Sequence, residues 1–518
     1  MKFSGRTVLF VANLFVVARQ LHSARILAVI PMPPFSHQIS AKPLWVELNK
    51  RGHEIVLITS NPLPNMNLTN FTQIDIGESH YVNSEINFIE VKFNRVSVVE
   101  FLTDYVPRLR DALVHRLLNH TQARKLYAPN SDVKFDVVIA EMLFMPAIYA
   151  FAHRFNAPLI GFTSLGIAAA NEYVLGGLVL PSHEGTWEME ANTGSDLPFW
   201  KRLRNYVTFW HYLYVYYRDF YPGQQKIAEE YFGDIPSLLE IQKNTSLVFV
   251  NQMEGLAAAK PKLPNMISYD PSYFNENPKS LPQDLKQFVD DATNGFIYFS
   301  LGSNALSSHL PSETVQLFLD VFARLPYRVV WKYERELPTK ADNVYIAPWF
   351  SQLSILSHAN IRLFVYQGGL QSSREAIHCE VPILGLPLIV DQEYQIGRMK
   401  AVGVGERLDI TTVTRNELER TILEIINNKK YKKKMIELKN IVNDIPYNSI
   451  ERLAWWTEYV IRHRGAPHLR TSLAKQPWYQ RHDSDLVIFL AILPFVIGLI
   501  VAGIIIRLIV SFDKQKVD

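Results

Sequence analysis

Short apolar runs alternate along this chain with longer stretches whose apolar positions recur every three or four residues. Arg25–Ile30 (RILAVI) is a run of the first kind. A Pro-rich loop, residues 31–37 (PMPPFSH), follows it. Over residues 38–51 the apolar Ile39, Leu44, Trp45 and Leu48 have helical spacing, and Gly52 supplies a stop. Glu54–Thr59 (EIVLIT) is the next buried run, which completes a βαβ unit. Residues 136–140, 158–162 and 246–250 extend this first parallel sheet, and residues 270–290 (polar, rich in Pro and Asn) read as a linker. A second block starts at Gly295, with strand runs at 296–301, 327–331, 343–346, 361–365 and 382–386. Alternating strands and helices with both sheet faces covered predict an α/β chain of two Rossmann-like domains facing a cleft. Ligands of such sheets bind beyond the C-terminal strand ends, so the strand-to-helix loops carry the chemistry.

The two ends depart from this pattern. Residues 8–18 (VLFVANLFVVA) form a short apolar core behind Lys2 and Arg6, with small Ser23 and Ala24 after it. That is the form of a signal peptide, assigned to residues 1–23; an uncleaved anchor is the alternative. Residues 486–506 hold no charge over the length a bilayer requires and predict a transmembrane helix, against the alternative of a buried core helix. Basic residues flank this run on both sides, so the signal peptide decides orientation. The chain is expected to be single-pass type I in the endoplasmic reticulum membrane, with residues from about 24 to 485 lumenal and a cytosolic tail at 507–518. Lys514 and Lys516 resemble a dilysine retrieval signal. Four sequons, at Asn67, Asn70, Asn119 and Asn244, suit lumenal exposure. The expected units are an N-terminal domain at 24–285, a C-terminal domain at 286–445 and a helical juxtamembrane segment at 446–485.

Composition narrows the function classes. Apolar residues make up 48% of the 518, charged residues 20% and aromatics 12%, which excludes disorder as the main state. A net charge of +3 disfavours a nucleic-acid partner. The single cysteine, Cys379, excludes an intramolecular disulfide and a cysteine-based zinc cluster.

The densest chemistry lies in the second block. A strand ending Phe364-Val365-Tyr366 runs into Gln367-Gly368-Gly369, and a helix is expected over 372–379. Glycines at such a turn let backbone N–H groups approach a phosphate, and the helix N-terminus adds positive potential. Gly302 and Ser303 are expected to open a second helix, so that two N-termini converge on one diphosphate. Trp349, Phe350, Gln352, His358, Gln367, Gly368, Gly369, Ser372, Glu375, Pro382, Pro387, Asp391 and Gln392 together make a nucleotide-sugar signature. The chain thereby resembles the membrane-anchored animal UDP-glycosyltransferases, and the likeness extends to Ser36-His37-Gln38 and to the C-terminal apolar run.

That resemblance implies two Rossmann-like domains of the GT-B type and a UDP-sugar as co-substrate, with no resident cofactor and no metal. It implies that Trp349 stacks on uracil, that Glu375 accepts from the ribose hydroxyls, and that Ser303 and Ser372 donate to the diphosphate. Gln352 and Gly302 belong to the same binding set, and Asp391 and Gln392 bind the donor sugar. His37, in the loop after the first strand, matches the family's catalytic base, and the expected partner after residues 136–140 is Glu141. Two departures stand out. Gln367 replaces a usual histidine and cannot become cationic, and Glu141 replaces an aspartate. The Gln-Gly-Gly-Leu-Gln-Ser form resembles insect members, which generally use UDP-glucose. The only Asp-x-Asp triplet, Asp483-Ser484-Asp485, precedes the apolar run, outside both nucleotide-binding blocks.

The expected activity is inverting transfer of a hexose to a hydroxyl of a small lipophilic acceptor. The acceptor is expected to be held by residues 60–130 and 165–245. A non-catalytic binder of UDP-sugar or lipophilic ligand is the first rival, and a homo-oligomer is compatible with either. An NAD(P)-binding oxidoreductase is a second rival, but Pro31-Met32-Pro33-Pro34 stands where a GxGxxG turn belongs.

Overall fold

The structure, a computed structural model, describes residues 23–77, 86–183, 186–189, 197–257, 259–271, 280–337 and 339–515, the last six by backbone alone. The expected signal peptide, apart from Ser23, and Lys516 of the dilysine pair lie outside the described residues.

Two parallel sheets organise the molecule. The first holds β1 (Arg25–Ile30), β2 (Glu54–Thr59), β3 (Phe71–Asp75), β4 (Val137–Glu141), β5 (Leu159–Thr163), β6 (Leu247–Asn251) and β7 (Met266–Tyr269), in the order β3-β2-β1-β4-β5-β6-β7. The second holds β8 (Phe296–Ser300), β9 (Arg328–Lys332), β10 (Val344–Ala347), β11 (Ile361–Tyr366), β12 (Ile383–Gly385) and β13 (Gly405–Arg407), in the order β10-β9-β8-β11-β12-β13. Both sheets are buried on two faces, which is why their central strands are continuous apolar runs. In β1, Leu27 and Val29 enter one core cluster while Ile26, Ala28 and Ile30 enter another. In β8, Ile297 and Phe299 face one cluster and Phe296 and Tyr298 the other.

Strand order reverses between β1 and β4 in the first sheet and between β8 and β11 in the second. Crevices open at such switch points. The segments that carry His37, Glu141, Gly302 and Gln367 leave those four strands at their C-terminal ends.

The helices that matter for the site are α1 (Phe35–Lys50), α2 (Val106–Asn119), α3 (Phe199–Val215), α4 (Gln283–Asp290), α5 (Ser312–Arg324), α6 (Leu370–His378), α7 (Gln392–Ala401), α8 (Ser449–His463) and α9 (Ser484–Gln515). Several differ from expectation. α1 starts at Phe35, so His37 lies in its first turn rather than in the preceding loop. α6 starts at Leu370, with Gly369 in the capping position. Gly302 and Ser303 do not open a helix. Residues 302–304 form a turn, and α5 begins only after Pro311, with Glu313 in its first turn. Proline at a helix start with an acidic residue behind it is the stronger initiation signal. The turn at 302–304 therefore brings no helix N-terminus to the motif loops, whereas α6 does.

The boundary expected at 285/286 falls inside α4, whose Leu285 and Val289 pack with Phe296 and Tyr298 of the second sheet. The second unit therefore begins before Gln283. α8 returns to the first unit: Ile450, Leu453 and Val460 join Leu44 and Trp45 on the β1 face, and Glu458 accepts from Arg51 at 3.3 Å. The units are stapled by two arginines. Buried Arg374 of α6 donates to the Asn251 side chain and to the Tyr269 carbonyl, and Arg398 of α7 donates to the carbonyls of Leu256 and Ala257.

α9 runs longer than the expected 486–506, and its apolar stretch Ser484–Ile509 is long enough to cross a bilayer. None of that stretch is buried against the rest of the chain, which rules out a core helix.

Candidate active site

The first sheet supplies an imidazole and a carboxylate. His37 reaches the end of β4, where its Nδ1 lies 2.6 Å from Glu141 Oε1. Glu141 is the last residue of the strand rather than one past it, and it is fully buried. Its second oxygen accepts from the Met32 backbone N–H at 3.1 Å, which anchors the carboxylate to the loop after β1. Ser164, just beyond β5, lies 2.7 Å from His37 Nδ1 and donates to Glu141 Oε1 at 3.2 Å. A carboxylate on Nδ1 selects the tautomer with the proton there, leaving Nε2 as the basic nitrogen. Nε2 makes no hydrogen bond within the described residues. Asp136, at the other end of β4, binds the Arg25 backbone N–H and stands apart from this group.

The second sheet supplies a polar cradle. Gly302 and Gly368 both have positive φ, +85° and +99°. A Cβ on Gly302 would collide with the Gln367 amide, which is also the nearest group to Gly369. The two glycine loops thus close around Gln367. Gln367 is buried and its Oε1 has no hydrogen-bond partner, so this side chain holds one unsatisfied polar atom beside the cradle. Gln352 donates to Ser372 Oγ at 2.9 Å and to Glu375, linking the start of α6 to the loop after β10. Gln392 Oε1 accepts from the backbone N–H groups of Leu388 and Ile389 and so shapes the turn into α7.

The two halves face each other across one cavity of about 1260 Å³. His37 and Ser164 line it from the first unit; Gly302, Ser303, Gln367, Gly369, Ser372, Asp391 and Gln392 line it from the second. Asp391 is buried, and desolvation pushes its carboxyl from 3.8 up to about 6, against weaker opposing effects from the Gln395 side chain, its own backbone and nearby His37. Ile86, Phe88, Phe101, Val106, Leu109 and Phe144 give the remaining wall a mostly apolar surface, interrupted by Arg110, Asn304 and Gln371.

The family profile described as "UDP-glucoronosyl and UDP-glucosyl transferase" matches residues 25–516. UDP-glucosyltransferase 2 of Dactylopius coccus is 32% identical over 498 residues, covering 94% of this chain and 93% of its own. Human UDP-glucuronosyltransferase 2B15 is 26% identical over 481 residues, covering 88% of each chain. The chain belongs to the UDP-glycosyltransferase family. Solved structures agree in fold: the glycotransferase of kitacinnamycin has a TM-score of 0.57 at 17% identity, covering 85% of this chain and all of its own. The O. sativa protein Os79, solved with UDP, has a TM-score of 0.55 at 15% identity, covering 84% of this chain and 99% of its own. The fold is thus GT-B, and the chain is a glycosyltransferase of the UDP-sugar type.

In this transferase the residues expected at the site fall into two groups. His37, Gly302, Ser303, Gln367, Gly369, Ser372, Asp391 and Gln392 border the shared cavity, with Glu141 directly behind His37. Gly368, Trp349, Gln352 and Glu375 lie outside its lining: Gly368 in the turn before α6 and close against Ile396 of α7, Glu375 on α6, and Trp349 and Gln352 just after β10. Trp349 is 61% exposed, with Lys332 Nζ 5.8 Å from its ring centre, so it is not a core residue. An exposed indole after β10 presents ring surface on which a planar base can stack. Asn67, Asn70, Asn119 and Asn244 are all exposed.

Sequence reasoning missed Ser164, Asn304 and Gln371, which also line the cavity. Ser164 was findable, since it follows a strand at its C-terminal end as His37 follows β1. Asn304, in the turn after β8, and Gln371, in the first turn of α6, carry no signal of their own.

Proposed function

We propose that this transferase moves glucose from UDP-glucose to a hydroxyl of a small lipophilic acceptor, with inversion and without a metal. His37 Nε2 takes the proton of the acceptor hydroxyl. The oxygen then forms a bond to the anomeric carbon as the bond from that carbon to the UDP oxygen breaks, giving a β-glycoside from an α-linked donor. Glu141 holds the imidazole and stabilises its protonated form, and Ser164 holds Glu141. The backbone N–H groups at the start of α6, with Ser303 and Ser372, meet the charge left on the diphosphate. Trp349 stacks on uracil, Gln352 and Glu375 hold the ribose side, and Asp391 and Gln392 hold the sugar.

The observation that carries this reading is the His37–Glu141 pair placed in one cavity with the α6 N-terminus and Asp391. The apolar wall supports a lipophilic acceptor. Glucose rather than glucuronate rests on the Gln-Gly-Gly-Leu-Gln-Ser loop and on the named activity of the Dactylopius relative. The proposed setting is the endoplasmic reticulum membrane with the two sheets in the lumen, supported by α9 and by four exposed sequon asparagines.

Mass spectrometry of products from microsomes given UDP-glucose, UDP-glucuronate and a mixed phenol library tests the donor and the acceptor class together. Glucosides of apolar phenols are expected. Glucuronides alone would overturn the donor, and UDP binding without UDP release for any acceptor would favour the second reading, a non-catalytic binder. The observation behind that second reading is Gln367, a neutral side chain with an unpartnered oxygen in the phosphate cradle.

A further inference from the structure

The wall of the active-site cavity holds a cation to which the transfer chemistry gives no role. Arg110, on α2, is 5% exposed and, apart from His37, is the only basic side chain among the described residues that line that cavity. Its Nε donates to Asp111 Oδ1 at 2.7 Å, and its guanidinium carbon lies 4.3 Å from the centre of the Phe220 ring. Neither contact satisfies Nη1, which is buried and has no hydrogen-bond partner among the described residues. A ring takes the face of a guanidinium, whereas its N–H groups point outward in the plane. Asp111 is 39% exposed and also accepts from Gln224, so it is a shared, partly hydrated counter-ion. A buried cation with an unmet donor is costly to keep unless a ligand completes it.

The surroundings define the group that completes it and the side from which it comes. Two turns of π-helix flank Arg110: Phe101–Tyr105 runs into α2, and Tyr216–Phe220 ends on the ring that the guanidinium covers. Such turns are rare and are frequent at functional sites. Arg110 also borders a second cavity, of about 1320 Å³, where Glu100, Asp104 and Asp219 carry negative charge. Those carboxylates repel an anion, so an anionic group meets Arg110 from the His37 side. There Ile86, Phe88 and Phe101 offer apolar surface to the body that carries it. A carboxylate is the group whose geometry a guanidinium fork matches.

We infer that Arg110 binds a carboxylate of the acceptor, and that the acceptors of this chain are hydroxylated organic acids whose hydroxyl and acid are separated by an apolar body. This rests on the transferase reading and narrows its substrate class. The hydroxyl goes to His37, which takes its proton. Its oxygen bonds to the anomeric carbon as the bond from that carbon to the UDP oxygen breaks. The carboxylate stays ionised on Arg110 and forms no covalent bond, so the product is a glycoside of the hydroxyl and not an acyl ester of the sugar.

The test uses the purified full chain in detergent micelles near neutral pH. The acceptors are 4-hydroxyphenyl alkanoic acids of increasing chain length, each beside its methyl ester. The donor is whichever of UDP-glucose and UDP-glucuronate is turned over. At the chain length that fits best, kcat/KM for the acid should exceed that for its ester by at least about tenfold, the scale of one hydrogen bond to a charged group. Its product should resist hydroxylamine, which cleaves acyl esters. Arg110→Met should bring the ratio of acid to ester to one or below. Arg110→Lys should keep part of it, since lysine retains the charge without the fork. UDP affinity by calorimetry shows whether each variant is folded. A parent chain that uses every ester as well as its acid overturns the proposal without any variant. So does a ratio that survives in folded Arg110→Met. Hydroxylamine-labile products overturn it too, because the acid would then lie at His37. If no acceptor is turned over, the transferase reading fails, and calorimetry of acid against ester still decides the role of Arg110: tighter binding of the acid that Arg110→Met abolishes supports it, and equal binding overturns it.

Discussion

At the scale of single residues, the imidazole at the cleft depends on three neighbours. Met32 and Ser164 hold Glu141, and Glu141 holds His37. His37→Ala should lower kcat by roughly 100- to 10,000-fold, with UDP affinity by calorimetry unchanged. Glu141→Gln should lower kcat less and leave the melting temperature near that of the parent, because an amide of the same shape still accepts from Met32. Activity of His37→Ala within a few-fold of the parent would remove it as the base. Asp391 makes a separate prediction through pH. Its carboxyl titrates near 6 in the folded chain against 3.8 in ordinary surroundings, chiefly because burial disfavours the charge. Below both values it is protonated in the folded and unfolded states and costs nothing. As pH rises from 3.8 to about 6 the unfolded chain ionises first, and above that the fold carries a constant cost of about 3 kcal/mol. Asp391→Asn should therefore stabilise the chain at pH 7 more than at pH 4 in thermal melts. It should also weaken use of the UDP-sugar more than binding of UDP.

At the scale of elements, the donor side is built by what glycine permits. Gly302 adopts a positive φ and sits against the Gln367 amide, so Gly302→Ala forces one loop off the other. UDP-sugar affinity should fall at least tenfold, about 1.4 kcal/mol, with the sheet intact by circular dichroism. An unchanged affinity would place the diphosphate elsewhere. Trp349→Ala should cost UDP about 1–3 kcal/mol of binding, the range for an aromatic stacked on a base, with acceptor preference unchanged. Because Trp349 is exposed, that loss cannot be attributed to a collapsed core.

At the scale of the molecule, the site exists only because two units are held together. Arg374 lies between Ser372 and Glu375 on α6 and reaches across to Asn251 and Tyr269, so the helix that borders the donor site also fixes the closure of the cleft. Anchoring is separable from this. Truncation after Asp483 removes α9 but keeps both sheets, α8 and the Arg481 contacts. The product should be soluble, glycosylated at the exposed sequons and partly secreted, with residual activity. A cytosolic, unglycosylated product would overturn the lumenal orientation. Lys514→Ser with Lys516→Ser should stay membrane-bound yet move forward along the secretory pathway, read by acquisition of endoglycosidase-resistant glycans.

The sequence by itself determined the two α/β units, the central strands, the apolar C-terminal helix and the motif positions. These follow from local signals: buried parallel strands must be apolar throughout, a span must be long and uncharged, and phosphate loops need glycine. The edge strands β3, β7 and β13 were not legible, because short edge strands such as Gly405–Arg407 carry no long apolar run. Only the tertiary structure decided that α8 returns to the first sheet, that Gly302 turns without starting a helix, and that Ser164 supports the His37–Glu141 pair. It alone set Asp391 in a desolvated wall shared with His37 and packed Trp210 of α3 against His482, just before α9. Each of these depends on residues far apart in the chain meeting across strand order and domain closure, and no local pattern encodes such a distance.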